Sequence, residues 1–400
     1  MARDELIDAL RGFALFGILA VNIQCFVTGL NAPSLGILDA QSTVADHLTV
    51  LLSACLLEFK FYPLFSFCFG YGFAVQTRRW KVIGESVDPR FMRRMNALLF
   101  MGVLHGGLLW FGDILARYAI CGYILRRYAG CGPRRLLMAA KFWFVVALVV
   151  MVAFGSLTLA GKSGDSGDGA LARSAELQAD SARVFALYTQ GNFLDATIQR
   201  VNDFTMVTLG FVPLVPQIMV IFLLGAFAAQ LGLLRDPVRF RVFWNRMMQL
   251  GLWVGIPVNL VYAWQQWQAS LSPWSTSQSL TTMVTGDLAP TMSVALIAAF
   301  ALHGSSVPGR KLVRLLAPAG RVSLTLYVGQ SVAMALLLNG FGLGLGATAS
   351  PATLFAMAVV IYSLLIATSH IMQRLVIPGP LEILWRRYTY SPVRSNIPNR

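Results

Sequence analysis

His105 stands eleven residues beyond Arg94 inside an apolar run, which at 1.5 Å per residue is about 16 Å along a helix. Imidazole is the side chain that takes or gives a proton near neutral pH, so a general base is the chemistry to consider first. Asn22 is likewise eleven residues beyond a basic residue, Arg11, which predicts a similar depth. An amide there can donate to a developing oxyanion. Four more charged side chains follow in two short stretches. Glu58 and Lys60 lie in Leu57-Glu58-Phe59-Lys60-Phe61-Tyr62-Pro63, and Asp113 and Arg117 in Phe111-Gly112-Asp113-Ile114-Leu115-Ala116-Arg117. These four are expected to form a polar vestibule above His105. Asp113 is eight residues past His105, about 12 Å along one helix, so the spacing predicts no direct bond between them. Asp113 and Arg117, one turn apart, are predicted to pair. The structural alternative makes His105 a hydrogen bond between helices and the other four an interfacial ion-pair set.

The elements that must position these groups are apolar segments. Runs near 9–29, 58–77, 95–113, 114–130, 136–160, 204–232, 243–265, 283–303, 322–341 and 353–374 each approach the roughly 20 residues that span a bilayer. The second carries charges and the fourth is short. With ten crossings, all 32 Lys and Arg except Lys60, Arg117, Lys162, Arg173, Arg183 and Arg200 fall on one side. Basic loops face the cytoplasm, so both termini are predicted to be cytoplasmic. The expected fold class is an all-α polytopic transmembrane bundle of about ten helices. Charged or ionisable groups within it are costly and mark function by default.

One long polar interval divides the chain. Residues 1–160 form an N-terminal half of about five helices with the charged motifs, 161–203 an outer loop, and 204–400 a C-terminal half of about five helices with a basic tail. The loop opens on Gly161-Lys162-Ser163-Gly164-Asp165-Ser166-Gly167-Asp168-Gly169, and then Leu171, Leu177, Val184 and Leu187 recur at helical spacing, predicting an amphipathic surface helix. No repeat relates the halves, and Pro213, Pro216, Pro257 and Pro290 interrupt the second.

Composition excludes the ordinary soluble classes. Hydrophobic residues make up 56% and charged residues 12%, against roughly 25% charged in soluble domains. Mean hydropathy is +0.64. A net charge of +14 would suit nucleic acid if it lay on one face, but it sits at segment ends, so membrane lipids with anionic headgroups are the expected partners and nucleic acid is not. Asp4, Glu5 and Asp8 spoil a signal-peptide start, so the first run reads as a retained helix. Cys25, Cys55, Cys68, Cys121 and Cys131 lack metal-like spacing and read as small apolar fillers; no metal site is expected. His47, His303 and His370 read as interfacial. Glycines in Phe69-Gly70-Tyr71-Gly72 and His105-Gly106-Gly107 suit close helix packing and not a phosphate loop.

Several motifs resemble one family. They are Asp8-Ala9-Leu10-Arg11-Gly12-Phe13-Ala14-Leu15-Phe16-Gly17-Ile18 with Asn22; Lys60-Phe61-Tyr62-Pro63-Leu64-Phe65-Ser66 leading to Phe69-Gly70-Tyr71-Gly72; Leu104-His105; Trp110-Phe111-Gly112-Asp113-Ile114-Leu115; Gly320-Arg321-Val322-Ser323-Leu324-Thr325-Leu326-Tyr327 with Gln330-Ser331; and Gly379-Pro380-Leu381-Glu382 with Trp385-Arg386. Together these resemble the YeiB-like family of bacterial inner-membrane proteins, named for a domain of unknown function. The opening Asp-x-x-Arg-Gly is similar to that of transmembrane acyltransferases, which often carry a histidine where this chain has Asn22. The resemblance implies an inner-membrane location and an acyl group moved from cytoplasmic acyl-CoA, a co-substrate and not a resident cofactor, to a hydroxyl or amine of an envelope lipid or glycan. In that reading His105 is the base and Asn22 the oxyanion donor. Glu58, Lys60, Asp113, Arg117, Tyr327 and Gln330 form the vestibule, and Arg11 and Arg321 hold CoA phosphates. A homo-oligomer is compatible with it. The alternative is a transporter or flippase for a small solute or lipid-linked substrate, with the same polar residues along a path and the prolines marking broken helices.

Overall fold

A computed structural model describes residues 5–30, 32–84, 87–162, 168–272 and 280–390, with side chains except at 158–162, 168–171 and 280–283. Arg3, Asp4, the middle of the 161–169 linker, the Leu171 side chain and the basic tail beyond Tyr390 lie outside the description. Sixteen α-helices and no strand occur among the described residues. They are α1 Glu5–Thr28, α2 Val44–Leu56, α3 Phe61–Val82, α4 Val87–Leu108, α5 Leu115–Leu125, α6 Pro133–Lys162, α7 Asp168–Gln190, α8 Phe193–Gly210, α9 Val215–Leu231, α10 Arg241–Leu271, α11 Leu280–Leu288, α12 Thr291–His303, α13 Val307–Arg321, α14 Ser323–Leu338, α15 Pro351–Arg374 and α16 Pro380–Tyr390.

Local chemistry sets several of these boundaries. A reciprocal Thr43–Asp46 capping box opens α2, Ser350 followed by Pro351 opens α15, and Gly232 at a left-handed φ of 71° closes α9. The chain is an integral, multi-pass membrane protein. Seven described segments are long and apolar enough to cross a bilayer, or eight if the bent pair α13–α14 counts as one. Many outward side chains are apolar, as with Trp253 of α10 at 80% exposure; in water that would be unfavourable, and here it is the surface that meets lipid.

The expected ten crossings are not all present as separate long helices. α5, with 11 residues, reaches only about 16 Å, and α4 starts with Asp88, Arg90, Arg93 and Arg94. The 204–232 run is divided between α8 and α9 by a turn at Val212–Leu214. The 322–341 run is α14, bent 81° from α13.

α1 lies at the centre, packed on α3, α13, α14 and α15. α3 and α9 approach through a reciprocal glycine contact: a Cβ on Gly70 would fall into the Phe222 carbonyl, and one on Gly225 into that of Phe67. Without a hydrophobic drive between helices in lipid, such backbone approach supplies the packing. The segment expected as a surface helix is α7, and it is tied inward. Val184 and Tyr188 are buried, the Tyr188 hydroxyl donates to Asp203 at 2.6 Å, and Gly340 N–H donates to the Tyr188 carbonyl at 2.9 Å.

Candidate functional site

The helix carrying His105 does not continue to Asp113. α4 stops at Leu108, where the N–H groups of Leu109 and Trp110 both turn back onto the His105 carbonyl. Trp110 stacks on Phe26 with centroids 4.4 Å apart, and buried Arg200 donates to the Leu108 carbonyl at 3.1 Å and to Asn339 at 2.7 Å. This turn folds Asp113 back over the histidine. Its Oδ2 lies 2.8 Å from His105 Nδ1, and its Oδ1 accepts the Ala116 N–H at 2.8 Å, capping the first turn of α5. The expectation that the two could not bond is therefore corrected, because it assumed one unbroken helix.

On the other side of the ring, His105 Nε2 lies 2.9 Å from the Ser331 hydroxyl of α14. His105, Asp113 and Ser331 are all at least 97% buried. Only the Gln330-Ser331 motif pointed toward Ser331, which lies 226 residues from its partner. Arg117 does not take Asp113 as its hydrogen-bond partner. It reaches toward the Phe111 carbonyl at 3.5 Å and lies over the Phe211 ring at 5.4 Å. Its Nε is buried without a hydrogen bond.

Beside this chain of residues is a cavity of about 570 Å³, within the usual span of small-molecule sites, about 300–1,000 Å³. Of the expected vestibule residues Glu58, Arg117 and Tyr327 line it, together with Asn22, Gln217 and Asp287. Gln217 donates to Asp287 at 3.0 Å. Tyr327 forms the partition between cavity and histidine: it lines the cavity, and its ring centroid is 4.9 Å from that of His105.

Glu58 is presented by a strained turn, since Phe59 holds a left-handed φ of 62°, a conformation costing about 1–3 kcal/mol away from glycine. The Ser34 hydroxyl donates to Glu58 Oε1. Oε2, in a residue 4% exposed, makes no hydrogen bond of ordinary geometry, although the Tyr262 hydroxyl is beside the carboxylate.

Six of the expected site residues lie off this cavity wall: His105, Lys60, Asp113, Gln330, Arg11 and Arg321. Lys60 is fully buried, donates to the Ala54 carbonyl at 2.6 Å and faces the Tyr262 ring. Gln330 is buried on α14 outside the lining, and His105 itself is behind Tyr327. Arg11 and Arg321 meet around Asp8, at 3.3 Å and 3.7 Å, and Arg321 also reaches Glu5 at 3.4 Å. Both expected phosphate ligands are thus engaged with carboxylates. His47 accepts from Trp267 at 3.0 Å and lies outside the site. No cluster of three His, Cys, Asp or Glu side chains placed to hold a metal occurs among the described residues.

Comparison with known proteins adds family context. Residues 228–392 match the family described as "Protein of unknown function (DUF418)". The "Uncharacterized protein YxaH" of Bacillus subtilis (strain 168) is 28% identical over 407 residues, covering 97% of this chain and 94% of that protein. The "Uncharacterized protein YeiB" of Escherichia coli (strain K12) is 26% identical over 400 residues, covering 97% of each. The chain is thus similar to the YxaH and YeiB proteins over nearly its full length. The buried Ser331–His105–Asp113 chain draws on both parts of the sequence, with Ser331 inside the matched region and the other two before it. No solved structure matches the chain.

Proposed function

We propose that this protein is an acyltransferase of the bacterial inner membrane. It moves an acyl group from a cytoplasmic acyl-CoA to a hydroxyl or amine of an envelope lipid or glycan held in the outer cavity. The observation that supports this reading best is the Ser331–His105–Asp113 chain. A carboxylate on Nδ1 and a hydroxyl on Nε2, both within 3 Å, is the arrangement by which acyl-transfer sites prepare an imidazole to take a proton.

In the resting arrangement Tyr327 separates His105 from the cavity. Rotation of that side chain, with the Ser331 hydroxyl turning to the Tyr327 carbonyl 3.3 Å away, brings the acceptor to Nε2. The acceptor oxygen or nitrogen then attacks the thioester carbonyl, its proton passes to His105, the carbon–sulfur bond breaks, and the proton leaves with the CoA thiol. Asn22 and Arg117, both on the cavity wall, supply donors for the oxyanion, and the Glu58 carboxylate, also on the wall, orients the acceptor's N–H or O–H.

The 81° break between α13 and α14 favours the second reading, a transporter, because broken helices line transport paths. One experiment separates the two. Envelope lipids and glycans are compared by mass spectrometry in a deletion strain complemented with wild type, His105→Ala or Ser331→Ala, with membrane levels matched. An acylated species present only with wild type and lost with His105→Ala supports transfer. Identical acylation in every strain refutes it and leaves transport.

A further inference from the structure

A second cavity, of about 560 Å³, lies where the ends of α3, α4 and α16 meet. On α3 the first cavity is lined by Phe61 and Tyr62 and the second by residues from Gln76 onward, a separation of about 21 Å along the helix. We infer that this second cavity is a binding site for a phosphorylated ligand on the basic, cytoplasmic side of the membrane. The site does not depend on the chemistry proposed for the outer cavity.

Arg79, Arg90, Arg94 and Arg386 line it, and no Asp or Glu does among the described residues. The carboxylates on the bounding helices are engaged elsewhere. Asp88 of α4 faces Arg126 at 4.0 Å, and Glu382 of α16 accepts the Leu324 and Thr325 N–H groups at the start of α14. α3 contains no acidic residue. Four guanidinium groups share this wall, and the planar guanidinium fork matches phosphate oxygens.

Arg94 is held in place for that task. Gln76 accepts from its Nη1, Trp385 lies under its guanidinium at 4.2 Å, and its buried Nε has no hydrogen-bond partner. The cavity exceeds the size of a bare phosphate, and Trp80, Trp385 and Tyr390 add aromatic surface to its wall. The ligand class is accordingly a phosphate ester with an organic body. A soluble nucleotide-type cosubstrate and a phospholipid headgroup share that chemistry.

The test uses the full-length protein in nanodiscs, comparing wild type with Arg90→Gln, Arg386→Gln and the control Arg310→Gln, an exposed cation away from the cavity. In phosphatidylcholine discs, adenosine 3′,5′-bisphosphate is titrated by tryptophan fluorescence. In a second arm, phosphatidylglycerol retained by the protein is measured by native mass spectrometry. Each cavity variant is expected to weaken binding about tenfold, the loss of one charge-assisted contact, while the control does not. Bisphosphate binding with that pattern identifies a soluble ligand; retention of phosphatidylglycerol with that pattern identifies a lipid. If neither probe distinguishes the cavity variants from Arg310→Gln, with thermal unfolding unchanged, the site is overturned.

Discussion

Replacing Asp113 by asparagine exchanges one oxygen for an amide nitrogen at a position with no solvent exposure. As a carboxylate, Asp113 only accepts, so His105 carries its proton on Nδ1 and leaves Nε2 to accept from Ser331. In Asp113→Asn, Oδ1 keeps the Ala116 N–H and the new NH₂ faces Nδ1. The ring proton moves to Nε2, which then donates to Ser331, whose hydroxyl still has the Tyr327 carbonyl at 3.3 Å. Every group stays bonded, and only a charge-assisted bond becomes a neutral one, a cost of about 1 kcal/mol. Chemistry suffers far more, because the imidazole now offers no lone pair to a hydroxyl; the expected loss of acyl transfer is about 10²–10⁴-fold. Asp113→Ala also removes the helix cap and strands a buried ring nitrogen, for a total of about 3 kcal/mol. The chain has four histidines, so ¹⁵N spectra of histidine-labelled protein in nanodiscs report the tautomer directly, alongside thermal unfolding and transfer assays. An asparagine variant with the proton still on Nδ1, or one that transfers acyl groups at the wild-type rate, would refute the reasoning.

Gly70→Ala drives a methyl into the Phe222 carbonyl of α9; a loss of at least about 3 kcal/mol is expected, since backbone on both sides resists overpacking, and a melting curve in detergent checks it. Glu382→Ala uncaps α14 and should cost about 1–2 kcal/mol, while also loosening α16 and weakening bisphosphate binding in the second cavity. Burial holds the Asp203 carboxyl above the usual carboxylate range, against the opposing hydrogen bonds from Tyr188 and Gln199. A raised folded-state pKa stabilises fully below the unfolded value, about 3.9, and that contribution is lost as pH rises through the folded value. Stability measured by unfolding upward from pH 4 should therefore decline in wild type and stay flatter in Asp203→Asn; parallel curves would contradict this.

The helical membrane class was legible because apolar runs and basic ends follow from the bilayer itself. His105 and Asn22 were legible as polar groups deep in such runs, and the cavity does take Asn22, Glu58, Arg117 and Tyr327. The His105–Asp113 bond was not, because counting rise per residue presumes a continuous helix and α4 breaks at Leu108. Gly106-Gly107 and Gly112 around that turn were the available signal. Glu58 and Lys60, two residues apart, were grouped although such neighbours do not share a face, and Lys60 turns into the protein. Ser331 and the arginines of the second cavity come together only through tertiary packing of α14 and α16, which no local pattern records. Hydropathy does not see the bends at 212–214 and Val322, so the apolar runs do not map one to one onto separate long helices.

α3 contributes wall to both cavities, and between those ends its backbone is interlocked with α9 through Gly70 and Gly225. A contact of backbone on backbone has no long side chains to shear, so it acts as a fixed strut. The two chambers are thereby kept at a constant spacing along α3. Tyr327 on the wall of one chamber and Arg386 and Trp385 on that of the other therefore keep their places relative to a common frame.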